Sequence, residues 1–331
     1  MFSLFRQKTA SRPVAFPPDA TEQDIHACFR LLLGRLPNPE EWRGHSSHAG
    51  NPLASVVSLY LTSREFATRG LMKPPRDPQI KRVECSGFHI FIDDNDIAVG
   101  RQVAGGNYEP DVTSVVRRFL RPGMSVVDIG ANIGYFALLA ASIVGSEGHV
   151  LAVEPNPRNA RMLEASRRSN GFGQISICQI AAGREIGLLV LNTTHSNGTT
   201  SAASDDMNEL LNAETVASLP LDSLVTSGRR VDFIKVDVEG AEYNALYGCR
   251  RIIEADRPII VTEFSPGMMG SISNISGTDY LCWLAERGYR LSVIEPDGST
   301  NQADVEAVMN AYISRNSDHI DLLATPGPNE F

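Results

Sequence analysis

The sequence has no long apolar run, no paired cysteine motif and no surplus of positive charge. None of its apolar runs reaches the roughly 20 residues of a transmembrane helix, and its first residues lack the apolar segment of about 7–15 residues typical of signal peptides. Its five cysteines are scattered without a C-x-x-C pair, so we expect buried free thiols. The net charge of -9 argues against a nucleic-acid partner. Together these absences predict a cytoplasmic protein without a membrane span.

The sequence contains enough apolar residues for one large domain and a small one. Of its 331 residues, 42% are hydrophobic. We expect a flexible tail over residues 1–19, a small helical domain over 20–72, a linker over 73–80 and an α/β domain over 81–331. The linker is predicted from Lys73-Pro-Pro-Arg-Asp-Pro78, because proline disfavours helix at its own position and at the preceding one.

Beyond residue 120, apolar runs alternate with amphipathic segments. Strands are predicted near residues 125–129, 149–153, 174–180, 231–237, 258–264, 289–294 and 319–324, and helices near 133–144, 157–170, 240–254 and 278–287. This alternation favours a doubly wound, mostly parallel, seven-stranded sheet, which binds ligands at the carboxyl ends of its strands. An insertion over residues 184–226 is too long for a simple crossover and is expected to shape substrate specificity.

The clearest functional signal is a strand followed by a glycine turn, Ser125-Val-Val-Asp-Ile-Gly-Ala-Asn-Ile-Gly-Tyr-Phe136. Only the first glycine of the dinucleotide fingerprint is present, at Gly130, because Asn132 and Tyr135 occupy the other two positions. Asp128 would repel a pyrophosphate and attract a cation. The turn therefore favours S-adenosylmethionine, which carries a sulfonium and an ammonium, over NAD.

A second carboxylate indicates a ligand that contains adenosine. Glu154 ends the next apolar run, and in a doubly wound sheet this strand ends beside the first, where Glu154 can accept hydrogen bonds from two ribose hydroxyls. NAD enzymes share this feature, so Asp128 is the residue that selects among such ligands. Gly130 and Gly134 allow close approach of the cofactor. Asn156, two residues beyond Glu154, is a further candidate contact.

The fourth predicted strand breaks into acids at its carboxyl end, in Phe233-Ile-Lys-Val-Asp-Val-Glu-Gly-Ala-Glu242. Alternation places Lys235, Asp237 and Glu239 on one side, and a charge inside a strand is costly unless it is paired or used. One interpretation is a structural Lys–Asp pair, with Glu239 and Glu242 stabilising a helix N-terminus. The other makes Asp237 and Glu239 residues of the active site.

Three further candidates come from isolated positions. Glu263 ends the fifth strand, where it would orient a substrate or cap the following turn. His195 lies in the insertion and could reach a substrate hydroxyl, although a loop histidine is often only solvated. Glu109 follows Tyr108 in a loop that would either fold over the cofactor or form an ordinary surface turn.

Taken in order, these motifs resemble the FkbM family of S-adenosylmethionine-dependent methyltransferases. They are Tyr108-Glu109, Val127-Asp-Ile-Gly-Ala-Asn-Ile-Gly-Tyr135, Glu154-Pro-Asn-Pro157, Leu221-Asp-Ser-Leu224, Ile234-Lys-Val-Asp-Val-Glu-Gly-Ala-Glu242, and Arg257-Pro258 with Glu263. The resemblance implies a class I, Rossmann-like methyltransferase domain over residues 81–331 and O-methylation of sugars or natural products. The cofactor contacts that it implies are Asp128, Gly130, Asn132 and Glu154.

Residues 25–71 contain Leu33-Gly-Arg-Leu-Pro-Asn-Pro39 and Ser63-Arg-Glu-Phe66. They are similar to a small helical domain of unknown function that occurs in bacterial glycan-related proteins. This second resemblance favours a saccharide as the methyl acceptor.

We therefore predict an O-methyltransferase that uses S-adenosylmethionine to methylate a sugar hydroxyl of a glycan or its precursor. Positioning of the hydroxyl would supply most of the rate, with a base removing its proton. Asp237 is the expected base or hydroxyl-orienting acid, with His195 and Glu239 as rivals. A divalent metal at Asp237, Glu239 or Glu263 is compatible with their chemistry but not demanded by their spacing. The alternatives are a methyltransferase for a small natural product or lipid, and a catalytically inactive glycan-assembly adaptor.

Overall fold

The computed structural model describes residues 18–69, 78–194, 197–202, 207–225 and 228–327. The chain divides into two compact units, Met1–Asp77 and Pro78–Phe331. The division falls inside the segment that the prolines predict to be a linker.

The described elements of the first unit are helical. They are α1 (Glu22–Leu32), α2 (Pro39–His45), α3 (Leu53–Leu61) and α4 (Arg64–Arg69), with a short 3₁₀ turn at Ser46–His48. Thr21 begins α1 with a capping box, since its hydroxyl accepts from the Asp24 N–H and the Asp24 carboxylate accepts from the Thr21 N–H. Asn38 caps α2 in the same way, with Glu41 as its partner. The helices share a small apolar core, which includes Ile25, Phe29, Val56, Tyr60 and Phe66.

The second unit contains the other ten helices and all fourteen strands of the described chain. Its helices are α5 (Gly100–Ala104), α6 (Pro110–Phe119), α7 (Tyr135–Val144), α8 (Pro157–Asn170), α9 (Met207–Asn212), α10 (Glu242–Tyr247), α11 (Arg250–Asp256), α12 (Pro266–Ile272), α13 (Gly277–Glu286) and α14 (Val305–Arg315). Its strands are β1 (Ile80–Cys85), β2 (Phe88–Asp93), β3 (Ser125–Ile129), β4 (His149–Val153), β5 (Ile175–Cys178), β6 (Ala181–Ala182), β7 (Gly187–Thr194), β8 (Asn197–Ala202), β9 (Thr215–Leu219), β10 (Phe233–Val236), β11 (Ile259–Phe264), β12 (Tyr289–Ile294), β13 (Thr300–Ala303) and β14 (Ile320–Pro326).

Eight of these strands form the central sheet, in the order β13-β12-β14-β11-β10-β3-β4-β5. Strands β11, β10, β3, β4 and β5 are parallel to one another, whereas β14 is antiparallel to both β11 and β12. The α/β prediction is confirmed and all seven predicted strands are present. The predicted count of seven is one too low, because β13 pairs with β12 as an eighth, antiparallel strand.

Strands β7, β8 and β9 of the predicted insertion form a second sheet together with β6, which lies just before the insertion, in the order β6-β9-β7-β8. Strands β7 and β8 are an antiparallel hairpin, and β9 pairs with β7 on the other side. The backbone groups of these strands satisfy one another by pairing. We call these four strands the lid sheet.

Apolar side chains cover both faces of the central sheet. Val126 and Val127 are neighbours on β3 yet belong to different buried clusters, because successive strand residues point to opposite faces. One cluster contains residues of α6, α7 and α8, and the other contains residues of α10, α11, α13 and α14. The carboxyl edge of the sheet is thereby held between two rigid layers. In the described part of the chain, no helix is both long enough and apolar enough to cross a membrane.

Candidate active site

A pocket of about 280 Å³ lies at the carboxyl edge of the central sheet. Residues that follow or end β3, β4, β10 and β11 line it, among them Gly130, Glu154, Asp237 and Glu263. This is the edge where a doubly wound sheet presents its ligands. The lid sheet also contributes lining residues, which are Ala181, Ala182, Leu191, Gly198 and Thr200.

The turn between β3 and α7 fits a close backbone approach. Gly130 has a φ of 81°, and a Cβ atom built there would lie 1.8 Å from the Asp237 carbonyl oxygen. Any other residue at this position would force β3 and β10 apart. Asn132 is also left-handed, with a φ of 50°, a conformation that persists only where the surroundings hold it.

Glu154 is a buried carboxyl fixed by backbone donors. Its Oε2 accepts from the Asn132 N–H at 2.8 Å, and its Oε1 accepts from the Asn156 N–H at 2.8 Å. Burial raises the pKa of Glu154 to about 7, although these hydrogen bonds oppose the shift. Because Glu154, Asn132 and Asn156 all line the pocket, the structure brings these predicted cofactor contacts together.

Two predicted cofactor contacts lie outside the pocket lining. Asp128 is only 1% exposed, and neither carboxylate oxygen has a hydrogen bond of ordinary geometry to a described residue. Burial raises its pKa to about 6, opposed by Lys235 on the neighbouring strand and by the backbone N–H of Ala137. Gly134 instead allows α7 to pack on α8, since a Cβ there would lie 2.2 Å from Leu163 Cδ1. Neither Asp128 nor Gly134 is therefore among the residues that line the pocket.

The acids at the carboxyl ends of β10 and β11 form a hydrogen-bonded group with Lys235. Asp237 Oδ2 accepts from Lys235 Nζ at 2.9 Å, and Lys235 lies 4.5 Å from the centre of the Phe136 ring. Burial would raise the pKa of Asp237, but the charge of Lys235 and a hydrogen bond from Glu263 hold it below its usual value. Burial and the charge of Asp237 raise the pKa of Glu263 to about 12. The opposite directions of the two pKa shifts favour a protonated Glu263 that donates to the Asp237 carboxylate.

Three more carboxyls face the same pocket. Glu109 and Glu239 line it in left-handed conformations, with φ values of 39° and 54°. Burial raises the pKa of each, and the nearby charge of Asp237 adds to the effect. Asp321 on β14 lies opposite Glu263 on β11, and burial raises its pKa to about 7. Of these three residues, Glu109 and Glu239 were predicted from the sequence and Asp321 was not.

His319 is a pocket residue that the sequence analysis missed. It lies directly before β14, and because β14 is antiparallel to β11, its beginning meets the end of β11. A purely parallel strand would have placed His319 at the opposite edge. The direction of β14 would have identified His319 as a pocket residue. The apolar pattern of a strand does not reveal its direction, so the sequence held no signal for His319.

Two other candidates have different outcomes. His195 lies outside the described residues. Glu242 is fully buried and does not line the pocket, and its Oε1 accepts from the backbone N–H groups of Val238 and Gly240 at 3.0 and 3.1 Å. It shapes the turn that presents Glu239, in agreement with the structural interpretation.

Within the described ranges, no group of three or more His, Cys, Asp or Glu residues is arranged to hold a metal ion. All five cysteines are free thiols, as expected, but only Cys28 and Cys249 are buried. The other three, Cys85, Cys178 and Cys282, are half-buried, which corrects that part of the prediction. None of the five is a lining residue of the pocket.

Comparison with known proteins identifies the domain around this pocket. Residues 128–291 match the family model described as the methyltransferase FkbM domain. This range of the chain resembles the FkbM methyltransferase domain. The resemblance inferred from the sequence motifs is therefore confirmed for this range, which contains Glu154, Asp237 and Glu263.

Curated relatives of the FkbM methyltransferase domain match over shorter stretches. A protein-L-isoaspartate O-methyltransferase of Ignicoccus hospitalis is 26% identical over 125 residues, 37% of this chain and 56% of that protein. One from Methanothermobacter thermautotrophicus is 41% identical over 61 residues, 18% of this chain and 27% of that protein. The chain thus spans little more than half of the first relative and about a quarter of the second.

Among solved structures, methyltransferase FkbM from Methylobacillus flagellatus is similar at 17% identity, with a TM-score of 0.41. That match covers 90% of this chain and 58% of that chain.

Proposed function

We propose that the protein is an S-adenosylmethionine-dependent O-methyltransferase that acts on a sugar hydroxyl of a glycan or glycan precursor. The observation that carries the proposal is the pocket itself. One part of it is formed by the glycine turn and Glu154, and the other by a group of carboxyls that includes Asp237. The mixed α/β sheet fits the class I methyltransferase fold expected from the motifs.

The part around Glu154 fits the cofactor. The Glu154 carboxylate can accept from the two ribose hydroxyls, and Gly130 leaves room for the ligand against the backbone. Glu109 and the buried Asp128 supply negative charge toward the cationic methionine end. Bound S-adenosylmethionine would supply a methyl group already activated on a positive sulfur.

The acceptor part favours a neutral hydroxyl compound over an anion. Its carboxyls are hydrogen-bond acceptors suited to hydroxyl donors, and the described lining residues include no lysine or arginine. An anionic acceptor would face Asp237, Glu239 and Asp321 without a compensating cation in the lining. The two matched relatives are named for an L-isoaspartate substrate. Because the lining offers no lysine or arginine to an acidic acceptor, we propose a different acceptor for this chain.

The chain's own residues would mainly position the acceptor. Asp237 is held by Lys235 and by the proton of Glu263, so its carboxylate has a fixed direction in which to accept a hydroxyl hydrogen bond. Glu239 lies beside it in the lining. His195 remains a proposed contact from the insertion. A cytoplasmic location is part of the proposal, and the five free thiols are compatible with it.

Incubation of the protein with methyl-labelled S-adenosylmethionine and a cell extract tests this function. We expect label in a carbohydrate fraction, in a bond stable to mild base, as an ether is and a carboxyl ester is not. Label in a lipid or small natural product would show that the acceptor belongs to that class and is not a sugar. Cofactor binding without any transferred label would favour the inactive adaptor.

A further inference from the structure

His319 occupies a position from which it can reach the acceptor. It lines the pocket together with Asp237, Glu239 and Asp321. Its side chain is 46% exposed, so the imidazole keeps access to water. Among the described histidines, His319 is the one in the pocket lining.

A carboxylate fixes which nitrogen of His319 is basic. Asp318 Oδ1 lies 2.9 Å from His319 Nδ1. Because a carboxylate only accepts, Nδ1 carries the hydrogen, and in the neutral ring Nε2 has the free lone pair. Desolvation raises the pKa of the Asp318 carboxyl. The charge of His319 and the hydrogen bonds that Asp318 accepts outweigh this effect, so the pKa of Asp318 is lowered overall. Asp318 is therefore ionised and can accept the hydrogen bond from His319 Nδ1.

Two of the carboxyls near His319 are poor proton acceptors. The charge of Lys235 and a hydrogen bond from Glu263 hold the pKa of Asp237 below its usual value. Burial and the charge of Asp237 raise the pKa of Glu263, so this side chain favours its protonated form. Asp321, whose pKa burial raises to about 7, is the rival proton acceptor. A neutral imidazole, unlike a carboxylate, places no additional negative charge in the acidic pocket before it accepts the proton.

We propose that His319, oriented by Asp318, is the base that takes the proton of the acceptor hydroxyl. The inference rests on the proposed methyl transfer. In that reaction an O–CH₃ bond forms, and the S–CH₃ bond breaks with its electron pair left on sulfur. The hydroxyl proton passes to His319 Nε2, and then to water through the exposed side of the ring. Asp237 keeps its positioning role.

The charged groups that act on His319 are carboxyls. They are Asp318 on its own segment, Asp237 and Glu239 after β10, and Asp321 on β14. Negative charge around the ring stabilises the imidazolium that forms when His319 accepts a proton.

The test compares wild-type protein with His319→Gln, His319→Ala and a matched histidine variant, His89→Gln. His89 bonds Ser169 and does not line the pocket. With methyl-labelled S-adenosylmethionine and the extract fraction that the wild type labels, we expect His319→Gln to lower kcat about 10²-fold or more, and His89→Gln to change it less than about twofold. Added imidazole should partly restore turnover in His319→Ala. Calorimetry with S-adenosylhomocysteine should show that each variant still binds.

Several results would overturn the assignment. Near-normal kcat in His319→Gln would show that another group, such as Asp321, takes the proton. Loss of turnover without imidazole rescue in His319→Ala, with cofactor binding intact, would make His319 a binding residue only. If the wild type labels nothing although it binds the cofactor, the proposed function fails first and the base assignment with it.

Discussion

Lys235 Nζ lies 2.9 Å from Asp237 Oδ2, two residues further along the chain and on the same side of β10. The lysine side chain is 6% exposed and the aspartate side chain 25% exposed. In this pair the cation is buried, whereas the anion is partly exposed and lines the pocket. Charge is costly to bury unless it is paired, so this pair both stabilises the sheet edge and fixes the position of Asp237.

Replacement of this lysine should be strongly destabilising. In Lys235→Met the ionised Asp237 loses its cation, and we expect the free energy of unfolding to fall by about 3 kcal/mol, the low end for a broken buried pair because Asp237 is partly exposed. Lys81→Met removes the exposed pair with Asp94 and should cost less than about 1 kcal/mol. Urea unfolding of both variants measures the difference. Equal losses would show that the Lys235 pair contributes no more than a surface pair.

Substitution of Gly130 should abolish cofactor binding. A Cβ at Gly130 would lie 1.8 Å from the Asp237 carbonyl oxygen, whereas one at Gly145, which also has a positive φ, would meet nothing within 4 Å. Gly145→Ala should cost about 1–2 kcal/mol of stability through backbone strain and leave binding intact. Gly130→Ala should cost more and lose affinity for S-adenosylhomocysteine, as calorimetry would report. If the two variants bind equally well, the turn does not form the cofactor site.

Cofactor affinity should weaken as the pH falls through about 7. Burial raises the pKa of Glu154 to about 7, so in the free protein its carboxylate is fully charged only above that value. The charged form is the better acceptor for ribose hydroxyls, and affinity should fall by up to about tenfold per pH unit below it. Glu154→Gln should lose about 1–3 kcal/mol of binding free energy at high pH and most of this pH dependence. An unchanged pH profile in the variant would assign the titration to another group.

The same measurement distinguishes the cofactor class. Wild-type protein should bind S-adenosylmethionine and S-adenosylhomocysteine but not NAD, since Asp128 and Glu109 disfavour a pyrophosphate. Tight NAD binding without measurable S-adenosylmethionine binding would contradict the proposed function at its first step.

Loss of the Asp237 charge should lower turnover more than cofactor affinity. Asp237→Asn keeps the shape of the side chain but removes the anion that is hydrogen-bonded to Lys235, so we expect a lower melting temperature together with about 10²-fold slower methyl transfer. His195→Ala is the matched comparison from the insertion. A comparable loss in His195→Ala would make that histidine part of the proton transfer. Full turnover in Asp237→Asn would reduce Asp237 to the structural partner of Lys235.

The sequence determined those parts of the site that depend on local pattern. Apolar runs that end in an acid predict both the strand and the edge at which its last side chain emerges, because parallel strands present their carboxyl ends together. Glu154, Asp237 and Glu263 were found in this way, and all three line the pocket. The glycine turn was found from residue type alone, since a left-handed position against a neighbouring backbone requires Gly130.

Only the tertiary structure decided which of these residues are accessible and what joins them from elsewhere. Asp128 follows the same pattern as Glu154, but packing of the turn buries it outside the pocket lining. His319 and Asp321 reach the pocket because β14 inserts antiparallel beside β11. The direction of a strand is set by its hydrogen-bonding partners and by the connections around the sheet, whereas its apolar pattern reads the same in either direction.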